Sequence, residues 1–266
     1  VIGSGMSGGI AAKELTERGL KTLVIERGRN VERGKDNTDW MQPWQLPNGG
    51  NIPEQDLAKD YPVQSQCYAL SSATTQYFVK DSQHPYTTPE GKPFSWIRGY
   101  HLGGRSIMWG RQSYRLSAMD FEANAKDGHG ADWPIRYDDI APWYDYVEKF
   151  AGISGSKEGL EILPDGVFQP AHELTCAEAE FKKSIETQFP GRKLIPGRAA
   201  HLTKPTQEQI ELGRGECQAR SLCERGCSYG AYFSSNAATL PAAKRTGNMT
   251  MINDTAVLKV DYDPET

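Results

Sequence analysis

A glycine-rich loop at the start of the chain does most to restrict the fold. Glycines stand at positions 3, 5 and 8 in the pattern Gly-x-Gly-x-x-Gly, directly after the apolar pair Val1-Ile2. An amphipathic pattern predicts a helix over residues 6–18, and an apolar run predicts a buried strand over residues 22–25. Glu26 follows at the end of that strand, about 20 residues after the loop. This order predicts a βαβ unit, and therefore an α/β fold with a Rossmann-like dinucleotide-binding domain.

The residue types of the loop suit a pyrophosphate. Gly3 permits a tight turn, Gly5 lets the backbone approach the phosphates, and Gly8 allows the helix to pack closely on the strand. The positive end of the helix favours phosphate charge, and we expect Glu26 to accept hydrogen bonds from an adenosine ribose. The alternative is a glycine-rich turn in an α/β protein that binds no nucleotide. From these residues alone, NAD and FAD fit equally well.

The bulk properties exclude several classes of function. The chain has 266 residues, 38% of them hydrophobic and 24% charged, which is typical of a globular protein. The net charge is -4 with both signs mixed, and no apolar run approaches the roughly 20 residues of a membrane span. We therefore expect no nucleic-acid partner and no direct membrane span. Because the chain starts immediately before the glycine loop, we also expect that its natural N-terminus is missing.

Periodicity predicts further elements along the chain. Helices are predicted over residues 137–153, 177–188 and 236–246, strands over residues 193–202, 249–253 and 256–262, and a long loop over residues 28–61. Apolar residues predicted to face the core are Ile10, Ala11 and Leu15 in the first helix, Trp40, Met41, Trp44 and Leu46 in the loop, Ile140, Trp143, Tyr144, Val147 and Phe150 in the 137–153 helix, and Phe181 and Ile185 in the 177–188 helix.

A second glycine segment spans residues 98–110. Gly103-Gly104 removes two successive side chains, so the backbone there can lie against a flat ligand. Ser106 and the neighbouring backbone N–H groups are candidates to hydrogen-bond that ligand. His101 precedes the glycines, and we interpret it as a structural residue and not a catalytic one.

Three cysteines near the end of the chain follow the spacing C-x5-C-x3-C, at Cys217, Cys223 and Cys227. A structural zinc site normally has four ligands, and His201 as the fourth has no support from spacing. A disulfide would leave one thiol of the three unpaired. An iron–sulfur cluster needs thiolates on a tight, glycine-containing loop, and three ligands suit a [3Fe–4S] cluster. The spacing alone leaves these alternatives open.

Three segments together resemble the glucose–methanol–choline (GMC) oxidoreductases. They are the N-terminal fingerprint, the segment Leu102-Gly103-Gly104-x-Ser106, and the stretch Trp133-Pro134-Ile135-x-Tyr137-Asp138-Asp139-Ile140-x-Pro142-x-Tyr144. In that family the second glycine segment runs along the flavin, so the resemblance implies FAD. It implies non-covalent FAD, because Met108 stands where some relatives carry a flavin-linked histidine. Trp109, where many members have Asn, favours the sugar-active branch. The residues implied in cofactor binding are Gly3, Ser4, Gly5, Met6, Ser7, Gly8, Glu26, Arg27, Leu102, Gly103, Gly104, Ser106, Trp109, Gly110 and Val257.

The cysteine spacing, followed by Gly230-Ala231, resembles the bacterial FAD-dependent sugar dehydrogenases of this family. The resemblance implies that Cys217, Cys223 and Cys227 ligate a [3Fe–4S] cluster, and that Cys67 and Cys176 are ordinary thiols. It also implies a domain order: residues 1–160 begin the FAD-binding domain, residues 161–235 form part of a substrate-side region with the cysteine loop at 217–230, and residues 236–266 return to the FAD-binding domain.

The resemblance implies a dehydrogenase that oxidises a CH–OH group of a sugar. Electrons would pass from FAD through the cluster to an external acceptor, which would be another subunit, a cytochrome or a quinone, because the chain has no C-x-x-C-H haem motif. A small chaperone-like subunit is a further expected partner, with the periplasm as location and the cytoplasm as the alternative. The catalytic histidine pair is expected beyond Thr266, so we expect the chain alone to be inactive. Alternatives are a glucoside 3-dehydrogenase, a gluconate or polyol dehydrogenase, and an inactive flavin-binding or electron-relay fragment.

Overall fold

Three parallel segments lie side by side and position the glycine loop. In the computed structural model, which describes residues 1–263, strand β1 (Thr22–Ile25) pairs in parallel with β2 (Met249–Ile252). The opposite edge of β1 bonds to the start of the chain, since Gly3 N donates to Ile25 O at 2.8 Å. The strands at 22–25 and 249–252 are thus confirmed, and so is the predicted Rossmann-like α/β class.

Seven helices accompany these strands in the described residues. They are α1 (Met6–Glu17), α2 (Glu54–Asp60), α3 (Ala118–Asp127), α4 (Tyr137–Ala151), α5 (Cys176–Gln188), α6 (Gln207–Glu211) and α7 (Thr239–Arg245). Short 3-10 turns occur at Pro43–Gln45, Pro47–Gly50, Gln64–Gln66, Thr75–Tyr77, Gly104–Ile107 and Cys223–Arg225. The predicted helices at 6–18, 137–153 and 177–188 are confirmed within two residues at each end, and the helix predicted from residue 236 begins at Thr239.

The buried face of α1 differs from the predicted one. Its buried residues are Gly9, Ala12, Lys13 and Thr16, not Ile10, Ala11 and Leu15. The physical reason is the close packing of α1 on α7, where a Cβ at Gly9 would stand 2.3 Å from Thr239 Oγ1. Small residues are required where two helix backbones approach this closely, so size decides the face here and hydrophobicity does not.

The chain divides into two compact units. Unit 1 comprises Val1–Trp109, Ala219–Gly230 and the segment from Ser234, and unit 2 comprises Gly110–Gln218 with Ala231–Phe233. Residues 110–160 therefore group apart from the βαβ unit, whereas the predicted domain order places them with it. Unit 1 contains α1, α2, α7 and both strands, and unit 2 contains α3 to α6.

Two predicted strands are wrong. Residues 193–202 form only isolated bridges, such as those of Ala199 to Gln112 and to Ser154. Pro196 lies within this run and supplies no N–H donor to a ladder. Residues 255–263 adopt no regular secondary structure, and Leu258 is 95% exposed. Among the described residues, the segment 256–262 pairs with no neighbouring strand, although its side chains alternate as in a strand.

Several apolar side chains predicted to be buried are exposed. Among them are Leu23, Trp40, Trp44, Trp143, Val147 and Phe181, whereas Leu46 and Phe150 are buried as predicted. In α4 the buried residues lie at the C-terminal end, where Phe150 meets Phe233 edge to face at 6.3 Å. An apolar stripe predicts which face of a helix seeks a partner, but the partner itself depends on the tertiary structure. Across residues 1–263, the helices are all too short or too polar to cross a membrane.

Candidate cofactor site

The first glycine loop has the shape that a pyrophosphate requires. Gly3 adopts φ +82°, a conformation that other residues rarely adopt. A Cβ at Gly8 would stand 2.0 Å from Gly3 O, so only glycine permits α1 to begin this close to the turn. At Gly5, by contrast, no atom outside its immediate neighbours lies within 4 Å of the Cβ position, and no side chain caps the N-terminus of α1. The loop therefore presents free space beside the positive end of a helix.

Glu26 is held in place by the loop. Its Oε2 accepts hydrogen bonds from Ser4 N at 2.9 Å and Ser4 Oγ at 2.5 Å, and its Oε1 accepts from Gly28 N at 2.9 Å. The residue is 7% exposed. Oε2 accepts two hydrogen bonds, but Oε1 accepts only one and keeps a second lone pair for a ribose hydroxyl. The predicted acidic residue is thus fixed at the end of β1, beside the loop.

The second glycine segment lies against the first. Gly103 N donates to Ser4 Oγ at 2.9 Å, and a Cβ at Gly104 would stand 3.6 Å from Gly5 Cα. Leu102 N donates to Arg29 O at 2.8 Å, which ties the segment to the chain that follows β1. Gly103 itself has φ +81°, and a Cβ there would collide with the Asn236 side chain. The structure therefore brings the two predicted cofactor segments together within unit 1.

The other predicted cofactor residues occupy varied positions. Ser106 is buried, and its hydroxyl donates to Gly103 O at 2.6 Å and accepts from Ser235 N at 2.9 Å. Its side chain therefore braces the turn from inside. Arg27 is exposed and its guanidinium lies 3.9 Å from the centre of the Tyr100 ring. Met6 and Ser7 lie in the first turn of α1. Trp109 is the last residue of the first segment of unit 1, and Gly110 is the first residue of unit 2. Val257 lies two residues after Thr255, and the backbone N–H of Thr255 donates to Glu26 O.

His101 is buried inside unit 1 and is 1% exposed. Its Nδ1 lies 3.0 Å from Leu102 O, so the ring is placed to donate there. Burial lowers the pKa of His101 and the nearby Arg29 acts in the same direction, while the hydrogen bond to Leu102 opposes both. These surroundings favour a neutral imidazole with a structural part.

A buried carboxylate organises the cysteine loop of unit 1, residues 219–230. Asp39 accepts from Ser228 N at 3.0 Å and from Ser228 Oγ at 2.6 Å, and forms an ion pair with Arg220. Asp39 is 2% exposed. Ala219, Ser221, Gly226 and Gly230 all have positive φ. The loop that carries Cys223 and Cys227 is therefore tightly turned and fixed from one point.

Positive charge surrounds Cys227. A Cβ at Gly230 would stand 1.8 Å from Arg33 Nη1, and that nitrogen is buried without a hydrogen-bond partner. Burial lowers the pKa of Arg33, while the negative charge of a Cys227 thiolate opposes this effect. The Asn37 amide, oriented to satisfy both of its polar atoms, accepts from Cys227 N at 3.1 Å. The Arg33 guanidinium therefore lies where it can attract a negatively charged group beside Cys227.

Cys217 belongs to unit 2 and has different neighbours. Its sulfur and ring nitrogens of His172 and His201 all lie within 4.8 Å of one another. Burial lowers the pKa of His201 to about 4, with further lowering from Arg111 and His172. No sequence signal connects His172 with Cys217, because the 44 positions between them exceed any usual spacing of metal ligands. All five cysteines are free thiols in this structure.

Comparisons with known proteins agree with this geometry. Residues 1–34 match the model of the NAD(P)-binding Rossmann-like domain. The chain is 29% identical to paromamine 6'-oxidase of Streptomyces fradiae over 99% of its own length and 41% of that protein. It is 25% identical to the fructose dehydrogenase large subunit of Gluconobacter japonicus over 92% of its own length and 43% of that protein. It is 23% identical to the gluconate 2-dehydrogenase flavoprotein of Pantoea cypripedii over 98% of its own length and 44% of that protein.

These homologues are GMC-type oxidoreductases. The predicted resemblance to that family is therefore confirmed. The chain spans 41 to 44% of the length of these three relatives. The comparisons leave the individual site residues, the domain borders and the iron–sulfur cluster as predictions.

Proposed function

We propose that this chain forms the FAD-binding part of a dehydrogenase that oxidises a CH–OH group of a sugar or sugar derivative. The names of the relatives support a sugar or polyol substrate. The observation that carries the cofactor proposal is the position of Ser4, which bonds Glu26 at the end of β1 and Gly103 in the second glycine segment. One hydroxyl thus aligns both segments that the family uses for FAD.

The residues present fit FAD. The open space at Gly5 beside the uncapped start of α1 suits the pyrophosphate, and Glu26 suits the ribose. Gly103 and Gly104 present bare backbone at the point where the second segment meets the loop. When bound, FAD supplies an acceptor for the hydride of the CH–OH carbon. The histidine that takes the hydroxyl proton is not expected among residues 1–266.

We extend the proposal to a [3Fe–4S] cluster with Cys217, Cys223 and Cys227 as ligands. Support comes from the tight turns of residues 219–230 and from Arg33, whose buried nitrogen without a partner fits an anionic centre near Cys227. The cluster would supply one-electron steps toward an acceptor subunit, a cytochrome or a quinone. The large-subunit name of one relative supports an assembly with partner subunits. We place this assembly in the periplasm.

A pair of glycine variants tests the FAD site. Gly5→Ala places a methyl group in open space, so the variant should keep the wild-type stability but bind FAD at least roughly tenfold more weakly, or about 1.4 kcal/mol. Gly8→Ala places its methyl group 2.0 Å from Gly3 O, so it should lose stability and FAD binding together. Fluorescence titration with FAD and thermal unfolding measure both quantities. Unchanged FAD affinity in Gly5→Ala would refute the assignment of the loop.

The visible spectrum of anaerobically purified protein tests the electron path. We expect flavin bands together with broad iron–sulfur absorption. Cys223→Ser should abolish the iron signal and leave FAD bound, because the FAD segments do not include Cys223. Stoichiometric zinc without iron would disprove the cluster. Turnover of a sugar by this chain with a dye acceptor would contradict the expectation that the chain alone is inactive.

A further inference from the structure

A cluster of three metal-binding side chains lies within unit 2, apart from the FAD segments. His172, His201 and Cys217 each offer one donor atom, and these three atoms all lie within 4.8 Å of one another. It is the one such group of histidine, cysteine and carboxylate side chains found among residues 1–263. Two imidazoles and one thiolate form a donor set that first-row transition metals prefer.

We propose that His172, His201 and Cys217 form a mononuclear site for a divalent transition-metal ion such as Zn²⁺. The ion binds when the protein lacks the iron–sulfur cluster. The site shares Cys217 with the cluster of the proposed function, so a single sulfur serves one centre at a time. The mononuclear site itself does not depend on FAD or on substrate oxidation.

Backbone hydrogen bonds hold the three ligand segments together. Cys217 N donates to Leu202 O at 2.8 Å, which fixes the cysteine beside the residue that follows His201. Thr203 Oγ1 donates to Pro170 O at 2.6 Å, and the Gln169 side chain accepts from Thr203 N at 3.0 Å. The segment before His172 is thereby tied to the segment after His201. Three ligands from three separate stretches are thus preorganised before any ion binds.

The donor atoms need only a small movement to reach metal geometry. A tetrahedral zinc ion with ordinary bond lengths to nitrogen and sulfur requires donor separations of about 3.3 to 3.6 Å. The observed separations are at most 4.8 Å, so the side chains must move closer by up to about 1.5 Å to bind an ion. The two imidazole rings stand at 78° to each other with centroids 5.9 Å apart. Because the rings do not stack, their contact does not prevent an ion from binding between them.

The polar atoms around the site support an ion. His172 Nε2 is buried and has no hydrogen-bond partner, which is costly unless a ligand satisfies it. The positive charge of Arg111, which acts on His201, opposes a cation at this site. A deprotonated Cys217 offsets one charge of the ion. Three protein ligands leave a fourth position for water, as in open zinc sites.

Cobalt titration of the chain tests this site. Protein purified without cluster, reduced and freed of metal, should bind one Co²⁺ per chain and develop a near-ultraviolet thiolate-to-cobalt charge-transfer band. Zn²⁺ should displace the cobalt and abolish the band. Cys217→Ser should remove the band, and His172→Ala and His201→Ala should each weaken binding by at least roughly tenfold.

Matched controls separate this site from the cysteine loop. Cys223→Ser and Cys67→Ser should bind Co²⁺ as the wild type does, and circular dichroism checks that each variant is folded. Absence of stoichiometric Co²⁺ binding, or an unchanged band in Cys217→Ser, would overturn the proposal. Equal loss in Cys223→Ser would place the ion on the cysteine loop and would overturn it as well. FAD binding measured on the same samples reports separately on the proposed function.

Discussion

The Ser4 hydroxyl donates to the Glu26 carboxylate at 2.5 Å, and the Ser4 N–H donates to the same oxygen at 2.9 Å. The hydroxyl also accepts from Gly103 N at 2.9 Å. Both residues are buried. A serine at the second position of the loop therefore does more than fill a turn, because it connects the acidic residue of the βαβ unit to a segment about 100 positions later in the chain.

Ser4→Ala should destabilise unit 1 and weaken FAD binding. It leaves Gly103 N without its acceptor and removes one donor from Glu26, and each unsatisfied buried group costs about 1–3 kcal/mol. Urea unfolding gives the loss in stability, and FAD titration gives the loss in affinity. Ser7→Ala is the matched control for stability, because Ser7 is exposed and its change to Ala should alter the free energy of unfolding by less than about 0.5 kcal/mol. Equal stabilities of the two variants would contradict the bracing role of Ser4.

Local sequence signals were sufficient for the βαβ unit. The glycine spacing predicted the turn at Gly3, the start of α1 and the close approach at Gly8, because each depends on backbone geometry within a few residues. The position of Glu26 was predictable for the same reason. The second glycine segment was also recognisable from its residues, and the family resemblance added FAD as its ligand.

Features that depend on distant contacts were not predictable from single-chain patterns. The buried face of α1 is set by α7, which lies more than 200 residues later, so the pattern around Ile10 and Leu15 pointed to the wrong face. The anchoring of residues 219–230 by Asp39 joins positions 181 to 189 residues apart. The meeting of His172 with Cys217 depends on hydrogen bonds among three loops that have no periodic pattern.

Glu148→Gln should strongly destabilise unit 2. Glu148 accepts from Arg115 Nε at 2.8 Å and from Val167 N at 2.8 Å, and its hydrogen bonds raise the pKa of Arg115. Arg115 is only 4% exposed, so neutralising its buried partner should cost about 3–5 kcal/mol. Asp145→Asn removes the other, exposed carboxylate paired with Arg115 and should cost less than about 1 kcal/mol. Urea denaturation of both variants measures the difference, and similar losses would disprove the dominance of the buried pair.

Asp39→Asn should loosen the cysteine loop without altering the FAD site. The amide keeps one acceptor but cannot pair with Arg220, and it cannot accept from both Ser228 N and Ser228 Oγ in the same way as the carboxylate. We expect lower iron content per chain, faster proteolysis within residues 219–230 and unchanged FAD affinity. Asp56→Asn, on exposed helix α2, is the control and should match the wild type. Full iron content in Asp39→Asn would show that the loop does not need this anchor.

His101 should make the stability of unit 1 fall in mild acid. Burial places the pKa of the folded imidazole below its ordinary value of 6.5. Near and below pH 6.5 the unfolded chain therefore binds more protons than the folded protein. The contribution of His101 to the free energy of unfolding is complete above about pH 6.5. It declines as the pH falls through that value, by at most about 1.4 kcal/mol per pH unit. Neighbouring Arg29 and Glu26 act on the ring in opposite directions and keep the effect partial.

The free energy of unfolding, measured by urea denaturation between pH 5 and 8, gives this slope. His101→Asn removes the titrating ring but retains an amide that can donate to Leu102 O, so the variant should be less stable at pH 7.5 yet less sensitive to acid. The exposed His129 provides the matched control, and His129→Asn should keep the wild-type slope. If His101→Asn loses stability in acid as steeply as the wild type, another group carries the pH dependence.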